Sequence, residues 1–370
     1  MPRHPRSVLA SRMARILGVA SALPENIYAQ ADITATIGPL VTTDRSTRAL
    51  LDRLHASSRV DTRHLVMPLE RYADPQTFTQ SNDLFIEVAV DLAQQSLAAA
   101  LEIAGLAASD IDFIMFTSVT GVAAPSIDAL LISRMGLRSD VKRVPMYGLG
   151  CVAGASGLAR VDDYLAGHPH AVAALVAVEL CSLTFQRDDA STANLVATGL
   201  FGDGAASVVM VGDQRAALFS ADVPTLDVIA SRSRVYPDTE GVIGFNAGET
   251  GFRIILTPEV ARVIETYFAA DVEGFLADHG RTLADIDHFV AHAGGPKVLE
   301  AFASSLGLPD SAFEISWQSL ASVGNLSSVS VLHTLSRSID ARAQHPGDLT
   351  LLFALGPGIS VELVLLTAAA

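Results

Sequence analysis

The chain has 370 residues, of which half are apolar and 18% are charged, and its formal net charge is −15. A chain of this length buries one large core or two fused half-domains. The negative charge argues against general binding of nucleic acids. The apolar runs are broken by Glu179, by Gly356-Pro357-Gly358 and by Glu362, which favours buried strands over membrane spans.

The cysteine count and the amino-terminal segment bear on the compartment. Residues 1–6 are basic, but Arg12 and Arg15 interrupt the next stretch of the chain, so no apolar signal-peptide core develops. Two cysteines do not make a disulfide framework, which is consistent with a reducing compartment. The sequence shows no cluster of metal ligands. We therefore expect a cytoplasmic protein without a metal site.

The first predicted strand, 113–117, is followed along the chain by a cysteine in an unusual setting. Cys151 comes after a glycine turn and opens a helix of small residues with no charge before Arg160. A helix start presents unpaired N–H groups and the positive end of the macrodipole, which favour a thiolate. Free cysteines are also often buried and inert, so this segment alone leaves both interpretations open.

Two further strands are predicted in the first half of the chain, at 173–180 and at 206–211. Cys181 directly follows the first of them and, taken alone, is most simply a small buried hydrophobe. Regular periodicity is lost between residues 212 and 223, which makes this region the best junction. We therefore predict two halves, 1–212 and 213–370.

The second half repeats features of the first at almost constant spacing. Residues 109–114 read Ser-Asp-Ile-Asp-Phe-Ile and residues 284–289 read Ala-Asp-Ile-Asp-His-Phe, an offset of 175. Gly150-Cys151 is matched by Gly324-Asn325, an offset of 174. Two matches in the same order predict a duplicated, pseudo-symmetric α/β unit.

His292 ends a predicted strand, 289–292, and precedes a glycine turn, where open α/β sheets place ligands. If the halves pack about a pseudo-twofold axis, Cys151, His292 and Asn325 converge. Cys151 would carry a thioester, protonated His292 would hold its thiolate, and His292 with Asn325 would donate to an oxyanion or enolate. A lone histidine is more often structural, and Gly-Asn before a helix is also an ordinary N-cap.

At these residues the chain resembles the type III polyketide synthases related to chalcone synthase. The resemblance implies a thiolase-like αβαβα five-layer α/β fold, a homodimer, and the triad Cys151, His292 and Asn325. It implies iterative condensation of malonyl-CoA onto an acyl-CoA starter, with CoA thioesters as substrates and no cofactor. The family's decarboxylation-promoting phenylalanine maps to Phe201. The matching motifs are Gly150-Cys151, Leu200-Phe201-Gly202-Asp203-Gly204-Ala205-Ala206, His292-Ala293-Gly294-Gly295-Pro296, Gly324-Asn325-Leu326-Ser327-Ser328 and Leu355-Gly356-Pro357-Gly358.

The resemblance also maps a substrate pocket that departs from the plant pattern. The family's second gatekeeper phenylalanine falls on Ile254, its cavity threonine on Cys181, and its methionine that reaches across the dimer on Ala124. Thr184 and Ser327 match cavity positions. The pocket is therefore less aromatic and more apolar, and we expect a medium or long fatty acyl starter, as in bacterial alkylpyrone and alkylresorcinol synthases.

Binding of anionic CoA to a chain of charge −15 requires local cations. Lys297 and Arg53 fall on positions where the family contacts CoA phosphates, whereas another family lysine falls on Ser57. A solvated surface charge is the simpler interpretation of each cation taken alone.

Two alternatives remain at this point. An initiating ketoacyl-acyl carrier protein synthase would share Cys, His and Asn on this fold, but that family usually follows its histidine with Gln-Ala-Asn instead of Ala293-Gly294-Gly295. The other alternative is a fold member that binds acyl-CoA without turnover, in which the cysteine would be unreactive.

Overall fold

The computed structural model describes residues 13–187, 189–219, 225–341 and 345–369. The basic segment 1–6 and residues 220–223 of the predicted junction lie outside the described residues. The described strands are β1 Arg15–Ala22, β2 Asn26–Ala29, β3 Thr62–Leu65, β4 Phe113–Thr117, β5 Lys142–Met146, β6 Val172–Leu180, β7 Asp203–Val211, β8 Leu226–Val235, β9 Ile243–Gly248, β10 Gly251–Leu256, β11 His288–Ala291, β12 Leu349–Gly356 and β13 Ser360–Ala368. The described helices are α1 Gln30–Val41, α2 Arg45–Ala56, α3 Phe78–Ala104, α4 Ile127–Met135, α5 Ala153–Gly167, α6 Thr192–Leu200, α7 Asp213–Ala216, α8 Glu259–Ala277, α9 Pro296–Leu306, α10 Glu314–Val323 and α11 Val329–Asp340.

One nine-stranded mixed sheet holds the two halves of the chain together. Its strand order is β11-β12-β13-β8-β1-β7-β6-β4-β5. The order is symmetric about the contact between β8 and β1, apart from the extra edge strand β5. That central contact is short, with Arg15 opposite Asp227 and Ile16 opposite Leu226, and an ion pair of 2.7 Å between Arg15 and Asp227 reinforces it.

The contact between β8 and β1 divides the sheet into two half-sheets, β11-β12-β13-β8 and β1-β7-β6-β4-β5. The helices form three layers that alternate with these half-sheets. Helix α3 packs on β1, β6 and β7 from one side, whereas α5 and α11 contact strands of both half-sheets. Helices α8 and α9 pack together on the far side with the apolar residues of β12 and β13. Three apolar clusters fill these interfaces. The predicted αβαβα fold from two pseudo-symmetric halves is confirmed, while the boundary at 212/213 stays a prediction.

Helix α3 is the one helix in the described ranges that is long and apolar enough to cross a membrane. Phe85, Leu97 and Leu101 belong to its buried residues, and the helix contributes them to the cluster under β1, β6 and β7. We therefore interpret α3 as a core helix, because burial against a sheet explains its apolar composition.

The sequence repeat corresponds to a repeat in hydrogen bonding. The backbone N–H of Asp112 donates to Val172 O (2.8 Å) and the N–H of Val172 donates to Asp112 Oδ2 (2.9 Å). In the second half, the N–H of Asp287 donates to Leu349 O (3.0 Å) and the N–H of Leu349 donates to Asp287 Oδ2 (2.8 Å). Each aspartate thus fixes the start of a parallel strand pair, β4 with β6 and β11 with β12.

Candidate active site

Cys151 lies in a short 3₁₀ turn, Gly150–Val152, that leads directly into α5. Gly150 has φ of +56°, and a Cβ there would lie 2.6 Å from the Pro357 side chain, so glycine is required at this turn. At Gly154 a Cβ would lie 2.2 Å from Ser328 O. The glycine therefore lets the first turn of α5 approach the loop that carries Asn325.

His292 and Asn325 come from two loops at the same end of the second half. His292 directly follows β11, and its N–H donates to Phe353 O (2.9 Å). Asn325 Nδ2 donates to Gly294 O (3.1 Å), and Asn325 Oδ1 accepts from the N–H of Ser327 (2.8 Å). The residue before α11 is Ser328, so Asn325 is not a simple N-cap.

The three side chains line one cavity of about 410 Å³, which we call the outer cavity. Phe201 also lines it, and Lys297 lies at its exposed rim with 86% of its side chain accessible. The remaining lining residues are Thr192, Val196, Leu200, Ile243, Ile254, Leu256, Thr257, Pro258, Val260, Ala261, Gly294, Gly295, Pro296, Val298 and Leu355.

A second cavity of about 80 Å³, which we call the inner cavity, shares lining residues with the outer cavity. Cys151, Phe201, Ile243 and Ile254 line both cavities. The structure brings the predicted pocket residues Cys181, Thr184 and Ser327 to the inner cavity together with Ile254. The other lining residues are Ile33, Ile37, Arg63, Leu65, Tyr72, Gly150, Ser182, Phe185, Gln186, Asn194, Ala197, Thr198, Gly244, Phe245 and Pro357.

Two predicted site residues lie away from both cavities. Ala124 is exposed on the surface of this protomer, and it precedes the cis bond to Pro125. Arg53 is exposed in the last turn of α2. Ala124 was assigned through contact with a second subunit, which a single protomer does not contain. A role for either residue therefore stays a prediction.

Comparison with known proteins agrees with this geometry. Residues 3–214 match the model of the N-terminal domain of chalcone and stilbene synthases, and residues 227–370 match that of the C-terminal domain. The chain belongs to the chalcone and stilbene synthase family. It is therefore a type III polyketide synthase, an acyltransferase, and the family assignment favours this activity over the initiating ketoacyl synthase and over a binder without turnover.

Individual relatives of this synthase cover almost its entire length. A 1,3,6,8-tetrahydroxynaphthalene synthase of Streptomyces peucetius subsp. caesius is 49% identical over 98% of the chain and 95% of the relative. The alpha-pyrone synthesis polyketide synthase-like Pks18 of Mycobacterium tuberculosis is 30% identical, covering 95% of the chain and 90% of the relative. The crystal structure of 1,3,6,8-tetrahydroxynaphthalene synthase from Streptomyces coelicolor A3(2) superposes with a TM-score of 0.88 at 31% identity, covering 96% of this chain and 99% of that one.

Burial acts against both charges of the proposed catalytic pair in this synthase. Desolvation raises the pKa of the Cys151 thiol to about 12, with a hydrogen bond to Ser327 lowering it and the charge of Glu179 raising it further. Desolvation lowers the pKa of His292 to about 4. Each group taken alone is therefore neutral at pH 7. In the predicted mechanism His292 would take the proton of Cys151, so that the two charges would form together and attract each other.

A buried carboxylate behind the nucleophile was not singled out as functional from the sequence. Cys151 Sγ donates to Ser327 Oγ (3.6 Å), and Ser327 Oγ donates to Glu179 Oε1 (3.3 Å). Glu179 Oε2 accepts from the N–H of Val119 (3.1 Å) and from Thr120 Oγ1 (3.0 Å). Burial raises the pKa of Glu179. The signal was present, because one charged residue interrupts the apolar strand β6.

Arg63 was also missed, and it positions Phe201. Arg63 is buried on β3 and donates through Nη1 to Phe201 O (2.7 Å) and through Nη2 to Thr198 O (2.8 Å). Gln30 Nε2 donates to Gly199 O (2.7 Å), and the N–H of Asn325 donates to Leu200 O (2.9 Å). The last carbonyls of α6, which a helix leaves unpaired, are thus all bound.

We expect the substitution Arg63→Met to lower the free energy of unfolding by about 3–5 kcal/mol, as for removal of one member of a buried charged network. Thr198 O, Phe201 O and Gln30 Oε1, which accepts from Arg63 Nε, would lose their donor. Urea denaturation measures the change. Arg71→Met is the control, since the exposed Arg71 side chain forms, among the described contacts, only a 3.8 Å surface pair with Asp74, worth less than about 1 kcal/mol. Equal losses in both variants would contradict the role of Arg63.

Proposed function

We propose that this synthase builds a 1,3,6,8-tetrahydroxynaphthalene-type product from malonyl-CoA alone. Iterative synthesis is supported by the position of Cys151 and Phe201, which line both cavities. One cavity reaches an exposed lysine, Lys297, and the other is lined in part by buried side chains, among them Ile33, Ile37 and Leu65. The product class rests on the relative that is 49% identical over 98% of the chain.

The reaction begins with attack of the Cys151 thiolate on malonyl-CoA, with His292 holding the proton. The bond between the malonyl carbonyl and the CoA sulfur breaks, and CoA leaves with the proton from His292. A second malonyl-CoA enters the outer cavity and loses CO2, and His292 and Asn325 donate hydrogen bonds to the resulting enolate. The apolar face of Phe201 favours the loss of a charged carboxylate. The enolate carbon forms a bond to the acyl carbon, the bond to Cys151 Sγ breaks, and the lengthened chain leaves on CoA to be reloaded.

The carbon count of the proposed product agrees with malonyl units only. A naphthalene skeleton has ten carbons, which are five two-carbon units. Five malonyl-CoA give one tetrahydroxynaphthalene, five CO2, five CoA and one water. Polar side chains in the inner cavity, among them Thr184 and Asn194, provide hydrogen-bonding groups for a chain with a carbonyl at every second carbon.

A fatty acyl starter, closing to an alkylpyrone or alkylresorcinol, is the second candidate. Ile33, Ile37 and Leu65 line the inner cavity together with Ile254, and this apolar portion suits an aliphatic chain. The alpha-pyrone relative is 30% identical, whereas the tetrahydroxynaphthalene relative is 49% identical. For this reason we place malonyl-CoA first.

We further propose that the synthase is a cytoplasmic homodimer that binds CoA phosphates through Lys297 and Arg53. The edge strand β5 is mostly exposed, and Val122, Val144 and Tyr147 expose apolar surface near it. Apolar surface beside an open sheet edge is typical of an interface. Ala124 lies in the same region and would meet the second subunit there.

We expect purified protein supplied with malonyl-CoA alone to form a product with the mass of tetrahydroxynaphthalene. Mass spectrometry of reactions with malonyl-CoA, with and without short, medium and long fatty acyl-CoAs and one aromatic acyl-CoA, measures the outcome. Products that appear only with fatty starters would instead support the alkylpyrone or alkylresorcinol candidate. Activity restricted to carrier-protein substrates would contradict both.

A further inference from the structure

A hairpin outside the main sheet forms a wall of both cavities. Strands β9 and β10 pair only with each other. Ile243, Phe245 and Ile254 line the inner cavity, and Phe245 and Ile254 are directly opposite across the hairpin. A two-stranded hairpin is marginally stable by itself. The position of this wall therefore depends on the contacts that hold the hairpin.

A single buried side chain bonds the tip of the hairpin to the segment that follows Thr184 at the inner cavity. Gln186 is 5% exposed, and its Nε2 donates to Thr250 O (3.2 Å), Phe252 O (3.3 Å) and Thr184 O (3.1 Å). Thr250 Oγ1 donates in return to Gln186 Oε1 (2.6 Å). Thr184 and the hairpin both line the cavity, so this amide connects two parts of its wall.

Gln186 is itself fixed by its surroundings. Asn194 Nδ2 donates to Gln186 O (3.0 Å), which ties its backbone to the first turn of α6. On the hairpin side, the Phe252 ring packs edge-on against Phe78 at 5.4 Å between centroids. The amide thus connects rigid parts of the core to a hairpin that has few other polar anchors in the described residues.

We propose that Gln186 is a specificity-determining residue that sets the width of the inner cavity and thereby the number of extensions. The inference rests on the proposed function, since it concerns the chain that grows from Cys151. Extension stops when the chain fills the cavity, and the distance between the Ile254 and Thr184 walls limits that space. Without Gln186 the hairpin is free to move, and chains of several lengths are released.

We expect the substitution Gln186→Leu, which keeps the size but removes the amide, to broaden the products made from malonyl-CoA. The share of the main wild-type product should fall at least about fivefold, the factor expected when buried polar groups lose their partner. Products that differ by whole two-carbon units should appear, while total CO2 release stays within about fivefold, because the triad is not altered. Gln318→Leu is the control, since Gln318 is exposed and bonds only Glu314 among the described contacts.

Two substitutions of Thr250, in the exposed turn of the hairpin, provide a test that does not depend on whether Gln186→Leu folds. Thr250→Val keeps the β-branched shape but removes the hydroxyl that bonds Gln186, whereas Thr250→Ser keeps the hydroxyl. Arg253 also donates to this oxygen, at 3.2 and 3.3 Å, from an exposed position. We expect Thr250→Val to broaden the products in the same direction as Gln186→Leu, and Thr250→Ser to retain the wild-type profile.

An unchanged product profile in both Gln186→Leu and Thr250→Val would overturn the inference, as would equal broadening in Thr250→Val and Thr250→Ser. If Gln186→Leu does not fold, the Thr250 pair alone decides. The identity of the wild-type product tests the proposed function separately, because every variant is compared with the wild-type profile, whatever that product is.

Discussion

Replacement of Cys151 by alanine is expected to lower polyketide formation at least about 10⁴-fold, the range seen when the nucleophile of a covalent mechanism is removed. The inner cavity opens at Cys151, so without its sulfur no chain is held there for the enolate to attack. His292 and Asn325 remain in the outer cavity. Loss of CO2 from malonyl-CoA should therefore persist within about tenfold, because enolate stabilisation does not need the thiol.

Two measurements on the same samples separate these steps. Mass spectrometry quantifies the polyketide, and release of CO2 from malonyl-CoA reports the decarboxylation. Cys181→Ala is the matched control, since Cys181 is the second thiol of the inner cavity and has no covalent role in this scheme. Polyketide formation by Cys151→Ala, or its loss in Cys181→Ala alone, would contradict the assignment of the nucleophile.

Most of the architecture could be predicted because the duplication is visible in short motifs. The Asp112 and Asp287 turns occupy equivalent positions and bind the starts of β6 and β12 in the same way. Strand β4 has the predicted bounds, and β11 begins and ends one residue before the predicted strand. Since equivalent turns lead to equivalent places, the convergence of Cys151, His292 and Asn325 could be inferred without coordinates.

The supporting side chains could not be predicted, because they depend on contacts between distant segments. Arg63 bonds carbonyls 135 and 138 residues away, and Gln186 bonds a turn 64 residues away. Neither has a local motif. Glu179 was visible as a charge within an apolar strand, but its role required the position of Ser327, 148 residues away. These roles depend on which distant segments the fold brings together, and residue type alone does not indicate them.

The protonation state of the site also depends on how deeply its side chains are buried, which the sequence does not reveal. The helix start at Cys151 led us to expect a thiolate, and the described structure adds the opposing cost of burial, which raises the pKa of that thiol to about 12. Cys181, in the same cavity, has its pKa raised by burial as well. Only Cys151 shares the outer cavity with a histidine, which is the feature that distinguishes a reactive thiol from a quiet one.

Burial opposes a thiolate at Cys151, and a histidine in the same cavity favours one. We therefore predict that His292→Gln makes Cys151 unreactive near neutral pH. Without an imidazole to take the proton, burial keeps the pKa of the thiol far above neutral pH, so only a very small fraction of molecules carries a thiolate at pH 7. Alkylation of Cys151 by iodoacetamide at pH 7 should slow at least about a hundredfold relative to the wild type, because the thiolate is the nucleophile. Its rate should then rise about tenfold for each pH unit, since the thiolate fraction does so below the pKa.

The wild type should behave differently if His292 holds the proton of Cys151, as the proposed mechanism requires. Its alkylation rate should then change less than about threefold between pH 7 and pH 9, because an ion pair formed across that range keeps the thiolate fraction nearly constant. Peptide mass spectrometry after alkylation distinguishes Cys151 from Cys181, and His168→Gln, at an exposed histidine, is the control. A wild-type rate in His292→Gln would show that the start of α5 stabilises the thiolate unaided, and His292 would then act only on the enolate and oxyanion.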